Sequence, residues 1–217
     1  MMNAVELIAE LQARANPVNV AGMARFGISS QGTLGVSMVE IRKLARLAGR
    51  DHAVAAELWD SGIHEARILA TIVDQPECLS RRQMNSWAKD FDSWDVCDQA
   101  CMNLFWRSPD AWAMAKKWSQ ARPEFVRRAA FALIASMASK QKDAPEEVWG
   151  LAFEMIVEAA NDERNFVKKA VNWALRGVGK RSPRLRREAI TVAKRIRELD
   201  SKAARWIAAG ALRELES

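Results

Sequence analysis

Asp162-Glu-Arg-Asn-Phe-Val-Lys-Lys-Ala-Val-Asn-Trp-Ala-Leu-Arg-Gly-Val-Gly-Lys-Arg-Ser-Pro183 reads as a helix with both ends marked. Asp162 stands where a cap is needed. Val167, Ala170, Val171, Ala174 and Val178 recur at three- and four-residue steps, which places them on one helical face. Gly177 and Gly179 read as the stop, and Pro183 as the first-turn residue of the next helix. A strand reading fails, because nothing in the stretch alternates at a period of two.

The same punctuation runs along the whole chain. Ser37 with Glu40 forms a capping-box pattern before Ile41, Leu44, Ala45 and Ala48, and Gly49 ends that helix. Asp51, Ser80 and Ser201 are caps, and Pro109, Pro123 and Pro145 open helices. Residues 3–15 form a short amphipathic helix. Residues 16–34 read as a partly helical linker, with a loop over 29–35. No segment alternates as a strand. About a dozen helices in antiparallel pairs, with a pair period of roughly 35–45 residues, predict an all-α, HEAT-like solenoid with a concave basic face. No linker after residue 36 is long enough to divide the chain, so one domain over 1–217 is expected, with 1–36 as the lead-in to a core from about 37.

Composition narrows the function classes. The chain has 217 residues, a formal net charge of +6, three cysteines and two histidines. The charge favours an anionic partner. The cysteines show no paired spacing, so a disulfide framework and a zinc site are not expected, and a reduced, cytoplasmic setting is. No signal segment opens the chain, and no apolar run approaches the ~20 residues of a membrane span. HExxH and CxxC are absent, and two histidines make a Ser-His-Asp site improbable. His52 and His64 read as surface or cap residues. Gly177-Val-Gly-Lys180 fails as a phosphate loop, because Ala174 and Arg181 stand where Gly and Ser or Thr are required. Leu175-Arg-Gly-Val-Gly-Lys180 also looks like a helix-hairpin-helix turn; a glycine helix stop is the plainer reading.

Two stretches carry candidate chemistry. In Phe91-Asp-Ser-Trp-Asp-Val-Cys-Asp98, Ser93 or Asp92 is a cap for a helix running to about Trp106. Trp94, Asp98, Cys101 and Phe105 share one face of it. Asp98 therefore sits on a face that wants burial, where a carboxylate needs a partner or a task. Asp95 lies three residues earlier, so the choice of acid depends on helix phase. The second stretch is basic. Between Arg164 and Arg197 stand twelve Lys or Arg and one acid, Glu188. Trp173 falls off the apolar stripe there, beside Lys169, Arg176 and Lys180, with Phe166 two turns back. An indole among cations can cover a sugar or base while the cations hold phosphates. Equally, it can pack on the next helix pair under the stems of those cations. Arg127 and Arg128, at the edge of the stripe Val126, Ala129, Ala130, Leu133 and Met137, can pair with Asp98, reach a phosphate, or lie on the surface.

These residues together resemble the DNA alkylation repair family of HEAT-like DNA glycosylases. Three patches carry the resemblance, in order, over roughly residues 35–190. Ser93-Trp-Asp-Val-Cys-Asp98 is similar to the family's tryptophan followed four residues on by its catalytic aspartate. Phe125-Val-Arg-Arg-Ala-Ala130 is similar to its DNA-contacting arginine before a small-residue pair. Phe166-Val-Lys-Lys-Ala-Val-Asn-Trp-Ala-Leu-Arg176 is similar to the segment with its second site tryptophan.

The resemblance implies that Trp94 and Trp173 flank the deoxyribose of a damaged nucleotide, that Asp98 sits between them, and that Arg128 holds the backbone. It implies double-stranded DNA with alkylated bases as partner, no metal or organic cofactor, a monomer, and excision of cationic N3- and N7-alkylpurines. The family also contains DNA-structure binders with little or no glycosylase activity. A non-catalytic module for branched or distorted DNA is therefore the second reading, and a HEAT protein-interaction scaffold the third.

Overall fold

The computed structural model describes residues 2–217. Among them are thirteen α-helices, three single 3-10 turns and no strand. The helices are α1 (Ala4–Ala13), α2 (Pro17–Ala24), α3 (Met38–Ala48), α4 (His52–Asp60), α5 (His64–Val73), α6 (Arg81–Lys89), α7 (Trp94–Asn103), α8 (Ala111–Ser119), α9 (Glu124–Lys140), α10 (Trp149–Ala159), α11 (Asn165–Gly179), α12 (Pro183–Arg197) and α13 (Lys202–Leu215). None is long and apolar enough to cross a membrane.

The ends form as the side chains require. The Ser37, Asp51, Ser80, Ser182 and Ser201 oxygens each accept the backbone N–H three residues on, satisfying a donor the helix leaves open. Asn3 and Glu6 make a reciprocal capping box. Gly49 closes α3 at φ +76°, a conformation that costs glycine little.

Three expected ends differ. Asp162 does not cap α11, which begins at Asn165. Its Oδ1 accepts the N–H of Arg164, the residue before α11, at 3.1 Å, and the carboxylate grips the Arg164 guanidinium at 2.9 and 2.6 Å and Arg127 at 3.1 Å. Pro145 opens a 3-10 turn, Glu146–Val148, before α10. Gly177 and Gly179 lie inside α11 with helical backbone, so they are not a left-handed stop. A Cβ on Gly179 would stand 2.9 Å from the Ala189 Cβ and 3.0 Å from both Leu215 methyls. This glycine is there for close helix packing.

The described residues form two compact units, one ending at Ser108 and the other spanning Pro109–Ser217. In the first, α3, α5 and α7 pack side by side, and α4 and α1 cover them. Its core includes Trp59 stacked on Trp87, ring centroids 4.0 Å apart, with Phe91 and Phe105 against them. In the second unit α9, α11 and α13 make the equivalent row, and α8, α10 and α12 pair with them. Alanines at Ala129, Ala130, Ala170 and Ala174 are fully buried and let these helices approach closely.

Candidate functional site

Within the first unit, α7 carries the acid and one indole. Ser93 takes the N-cap position but makes no capping bond, and α7 ends at Asn103, with a 3-10 turn over Phe105–Arg107. Val96, Cys97, Ala100 and Cys101 are fully buried, which fixes the rotation of the helix. That rotation leaves Trp94 half-buried and Asp98 only 7% exposed. The Trp94 Nε1 donates to the Phe26 carbonyl at 3.0 Å, so the residues after α2 hold the ring in place.

Asp95 has a different task. Its Oδ2 lies 2.8 Å from His64 Nε2, and its Oδ1 accepts the Val96 N–H at 3.0 Å. Burial on its own would lower the His64 pKa, but the hydrogen bond and charge of Asp95, with Glu65 and Asp92 near, raise it. Burial likewise works against the Asp95 carboxylate, yet His64 holds its pKa below the ordinary value. The pair is thus an internal ion pair linking α5 to α7. His64 was expected at a surface or cap and is instead 4% exposed. Its partner lies 31 residues away, so no local spacing announces the pair. Next to it, Glu65 accepts the backbone N–H groups of Leu34, Gly35 and Val36, tying the loop before α3 to α5.

Within the second unit, Trp173, Arg176 and Lys180 line a cavity of about 470 Å³. Lys142, Ser139 and Arg181 complete its polar wall. Four cations and one indole therefore converge, although Glu214 of α13 binds both Arg176 and Lys180. Arg181 donates to the carbonyls of Ala138 and Gln141 at 2.6 and 2.7 Å, and its guanidinium stacks 4.3 Å from the Trp149 ring centroid. Lys142 and Arg181 escaped the sequence reading. Arg181 lay within the basic strip, whereas Lys142 reaches the cavity from the segment after α9. Lys169 is exposed and does not line this cavity. Arg128 is 6% exposed and donates to the Phe166 carbonyl at 2.7 Å, which anchors the start of α11 to α9. Phe125 packs on Phe166 at 5.4 Å beside it. Among the described residues no cluster of three His, Cys, Asp or Glu side chains could hold a metal ion.

The chain is thus a helical-repeat protein with a buried acid one turn beyond one indole and a second indole among cations. The chain belongs to the family of DNA alkylation repair enzymes, whose model matches residues 7–215. A solved structure similar over 98% of this chain and 95% of its own has a TM-score of 0.81 at 19% identity. It represents a family described as related to the HEAT-like repeat DNA glycosylases, with affinity for branched DNA structures. The fold is therefore that of the HEAT-like repeat proteins. A designed armadillo repeat protein bound to a (KR)4 peptide covers 82% of this chain and 92% of its own at 17% identity and a TM-score of 0.41. An engineered protein covers 100% and 99% at 14% identity and 0.44. No functionally curated protein matches the sequence.

Proposed function

We propose that this protein is a DNA N-glycosylase that releases cationic N3- and N7-alkylated purines from double-stranded DNA. The observation that carries the reading is Asp98: a carboxylate 7% exposed, one turn beyond Trp94 on α7, in a chain whose residues 7–215 match DNA alkylation repair enzymes.

An alkylated purine already carries positive charge and leaves readily. As the C1′–N bond breaks, its electron pair goes to the base nitrogen and neutralises the ring. The sugar is left oxocarbenium-like. Asp98 stabilises that cation, orients a water toward C1′ and takes the proton the water loses. Trp94 offers a π face to the developing charge, contributing about 0.5–2 kcal/mol, and Trp173 covers a sugar or base among the cations of the second unit. Lys169, Arg176 and Lys180 serve the backbone phosphates and sugar, and Arg128 reaches the backbone only by giving up its bond to the Phe166 carbonyl. The chemistry as written uses no metal or organic cofactor.

The test is release of 7-methylguanine and 3-methyladenine from methylated duplex DNA by the wild type and by Asp98→Asn. Release that collapses in the variant while DNA binding persists supports the assignment. If neither protein releases base but both bind DNA in a salt-dependent way, the second reading holds, and this is a non-catalytic binder of distorted or branched DNA. That reading is favoured by one observation, the TM-score of 0.81 to a protein of a family with such affinity.

A further inference from the structure

The first unit contains a trough that runs on from Trp94, and apart from that indole the reaction above does not use it. Two depressions lie end to end along the row of α3, α5 and α7. One, of about 470 Å³, has Met38 and Ile41 of α3 on one side, Ile68 of α5 as its floor, and Trp94 and Gln99 of α7 on the other. The second, of about 370 Å³, takes up the next turn of each helix, with Arg42 and Arg46 of α3, Ile72 of α5 and Asn103 of α7. On α7, Asp95, Gln99 and Asn103 follow at four-residue steps, so one face of the helix lines both.

The two ends differ chemically. The larger end is apolar and is roofed by α2. This helix reads Pro-Val-Asn-Val-Ala-Gly-Met-Ala, yet none of its residues is buried. Val18 is 80% exposed and Phe26, just beyond the helix, 71%. An apolar helix that buries nothing in its own chain leaves a face unpartnered. Polar bonds hold α2 and its flanks in place instead. The Asn19 side chain donates to the Gly35 carbonyl at 2.8 Å, Asn16 N–H donates to the Leu34 carbonyl at 2.7 Å, and Trp94 donates to Phe26. Within the trough Gln99 accepts from Asn103 at 3.0 Å through Oε1, which leaves its amide N–H groups to donate. The smaller end is cationic. Arg42 and Arg46 are exposed and form no ion pair among the described residues, and Arg50 closes the same end.

An aromatic wall, thioether and aliphatic surfaces, one amide donor, and two uncommitted guanidiniums a helical turn away match the parts of a nucleotide. The base has two apolar faces and an edge of acceptors, and the phosphate is an anion suited to arginine forks. A phospholipid could place its phosphate on the arginines, but its acyl chain offers no acceptor to the Gln99 amide and no flat face to Trp94, whereas a base offers both. We propose that this trough binds a single unpaired nucleotide of the DNA, its base under α2 and its phosphates on Arg42 and Arg46. The inference rests on the DNA-binding reading and extends it to an extrahelical nucleotide.

Gly22 provides a clean test. It lines the trough, lies in α2 with ordinary helical backbone, and a Cβ added there meets nothing within 4 Å. A Cβ here meets open space, and leucine adds bulk at a lining position while improving helix propensity, so the fold should persist. The probes are a DNA hairpin bearing one unpaired 2-aminopurine and the same hairpin fully paired.

Wild type should bind the bulged hairpin about tenfold more tightly, within the range of one base–aromatic stack, and should change the probe's fluorescence. Gly22→Leu should bind both hairpins alike, with paired-hairpin affinity unchanged. R42A/R46A should lose more affinity for the bulged hairpin than for the paired one. Equal binding of the two hairpins by wild type overturns the proposal, as does a Gly22→Leu variant that keeps the preference. Failure of wild type to bind either hairpin brings down the DNA-binding reading as well; paired binding without preference brings down this inference alone.

Discussion

Gly177 and Gly179 stand two residues apart in α11, and alanine at the two positions should act in opposite directions. At Gly177 a new Cβ would lie 3.7 Å from the Ala135 Cα, 3.7 Å from the Ala138 Cβ and 3.9 Å from the Ala135 Cβ. These are ordinary contacts, so Gly177→Ala gains helix propensity and a little packing, about 0.5–1 kcal/mol. At Gly179 the Cβ would meet the Ala189 Cβ at 2.9 Å and the Leu215 methyls at 3.0 Å. Leu215 can rotate, but the Ala189 Cβ is fixed to the backbone of α12, and α12 must yield by most of an ångström. Overpacking costs about 1–3 kcal/mol, and against a Cβ fixed to backbone the upper half of that range applies, which outweighs the same propensity gain and leaves about 1–2 kcal/mol of destabilisation. In a chain of this length that corresponds to a melting temperature roughly 2 °C above wild type for Gly177→Ala and roughly 5 °C below for Gly179→Ala. Urea unfolding followed by tryptophan fluorescence measures both, read as a change in midpoint at constant slope. A Gly179→Ala variant as stable as wild type would refute the packing account of this glycine. A Gly177→Ala variant more than about 1 kcal/mol less stable would show that α9 and α11 lie closer than described.

Three further outcomes follow from the same contacts. Glu214→Gln frees Arg176 and Lys180 from their shared acid and should tighten DNA binding about threefold at low salt, with the gain fading as salt screens the exposed groups; affinity titrations at two salt concentrations would check it. The His64–Asp95 pair should make stability pH-dependent. Its raised imidazole pKa means the contribution is whole below the unfolded value of about 6.5 and is lost as pH rises through the folded one. The lowered Asp95 value means the contribution is whole above about 3.9 and is lost as pH falls through the folded value. The stability gap between wild type and Asp95→Asn should therefore be widest between about pH 4 and 6.5 and narrow by pH 9, and a gap flat from pH 5 to 9 would sink the ion-pair account. Glu65→Ala orphans the N–H groups of Leu34, Gly35 and Val36, costs roughly 3 kcal/mol, and should speed hydrogen exchange in that loop before any other segment.

The helices were legible because their ends and stripes are local. Serine caps, first-turn prolines and apolar residues at three- and four-residue steps act within one or two turns, and the structure follows them closely from Ser37 to Ser201. The burial of Asp98 is legible for the same reason, since Cys101, three residues on, marks the buried face of α7. What escaped depends on partners distant in sequence. Asp162 reads as a cap because its neighbours allow one, but its carboxylate closes on Arg164 and is met from α9 by Arg127, 35 positions earlier in the numbering. His64 read as a surface residue because Asp95 arrives from another helix. Gly177 and Gly179 read as a stop because glycine does two jobs, ending helices and letting them touch, and only the positions of Ala135, Ala189 and Leu215 distinguish them.

The basic strip illustrates the same limit quantitatively. Read along the chain, Arg164–Arg197 contains twelve cations against one acid. Read in space, most of that excess meets acids or carbonyls supplied from outside the strip. Asp162 holds Arg164, Glu214 holds Arg176 and Lys180, Glu146 holds Arg184, Glu216 lies 3.3 Å from Lys194, and Arg186 donates to the Leu215 carbonyl. Lys168 lies over the exposed Trp206 ring at 5.8 Å. Lys169 enters no ion pair among the described residues, so of the strip's proposed DNA contacts it is the one that needs no release. Arg176 and Lys180 must exchange Glu214 for a phosphate, trading one anion for another at nearly constant charge. Such an exchange adds little affinity on its own but penalises any ligand that cannot replace the carboxylate. On the proposed DNA-binding reading, the cavity at Trp173 then discriminates for a phosphate in the right place more than it attracts polyanions at large.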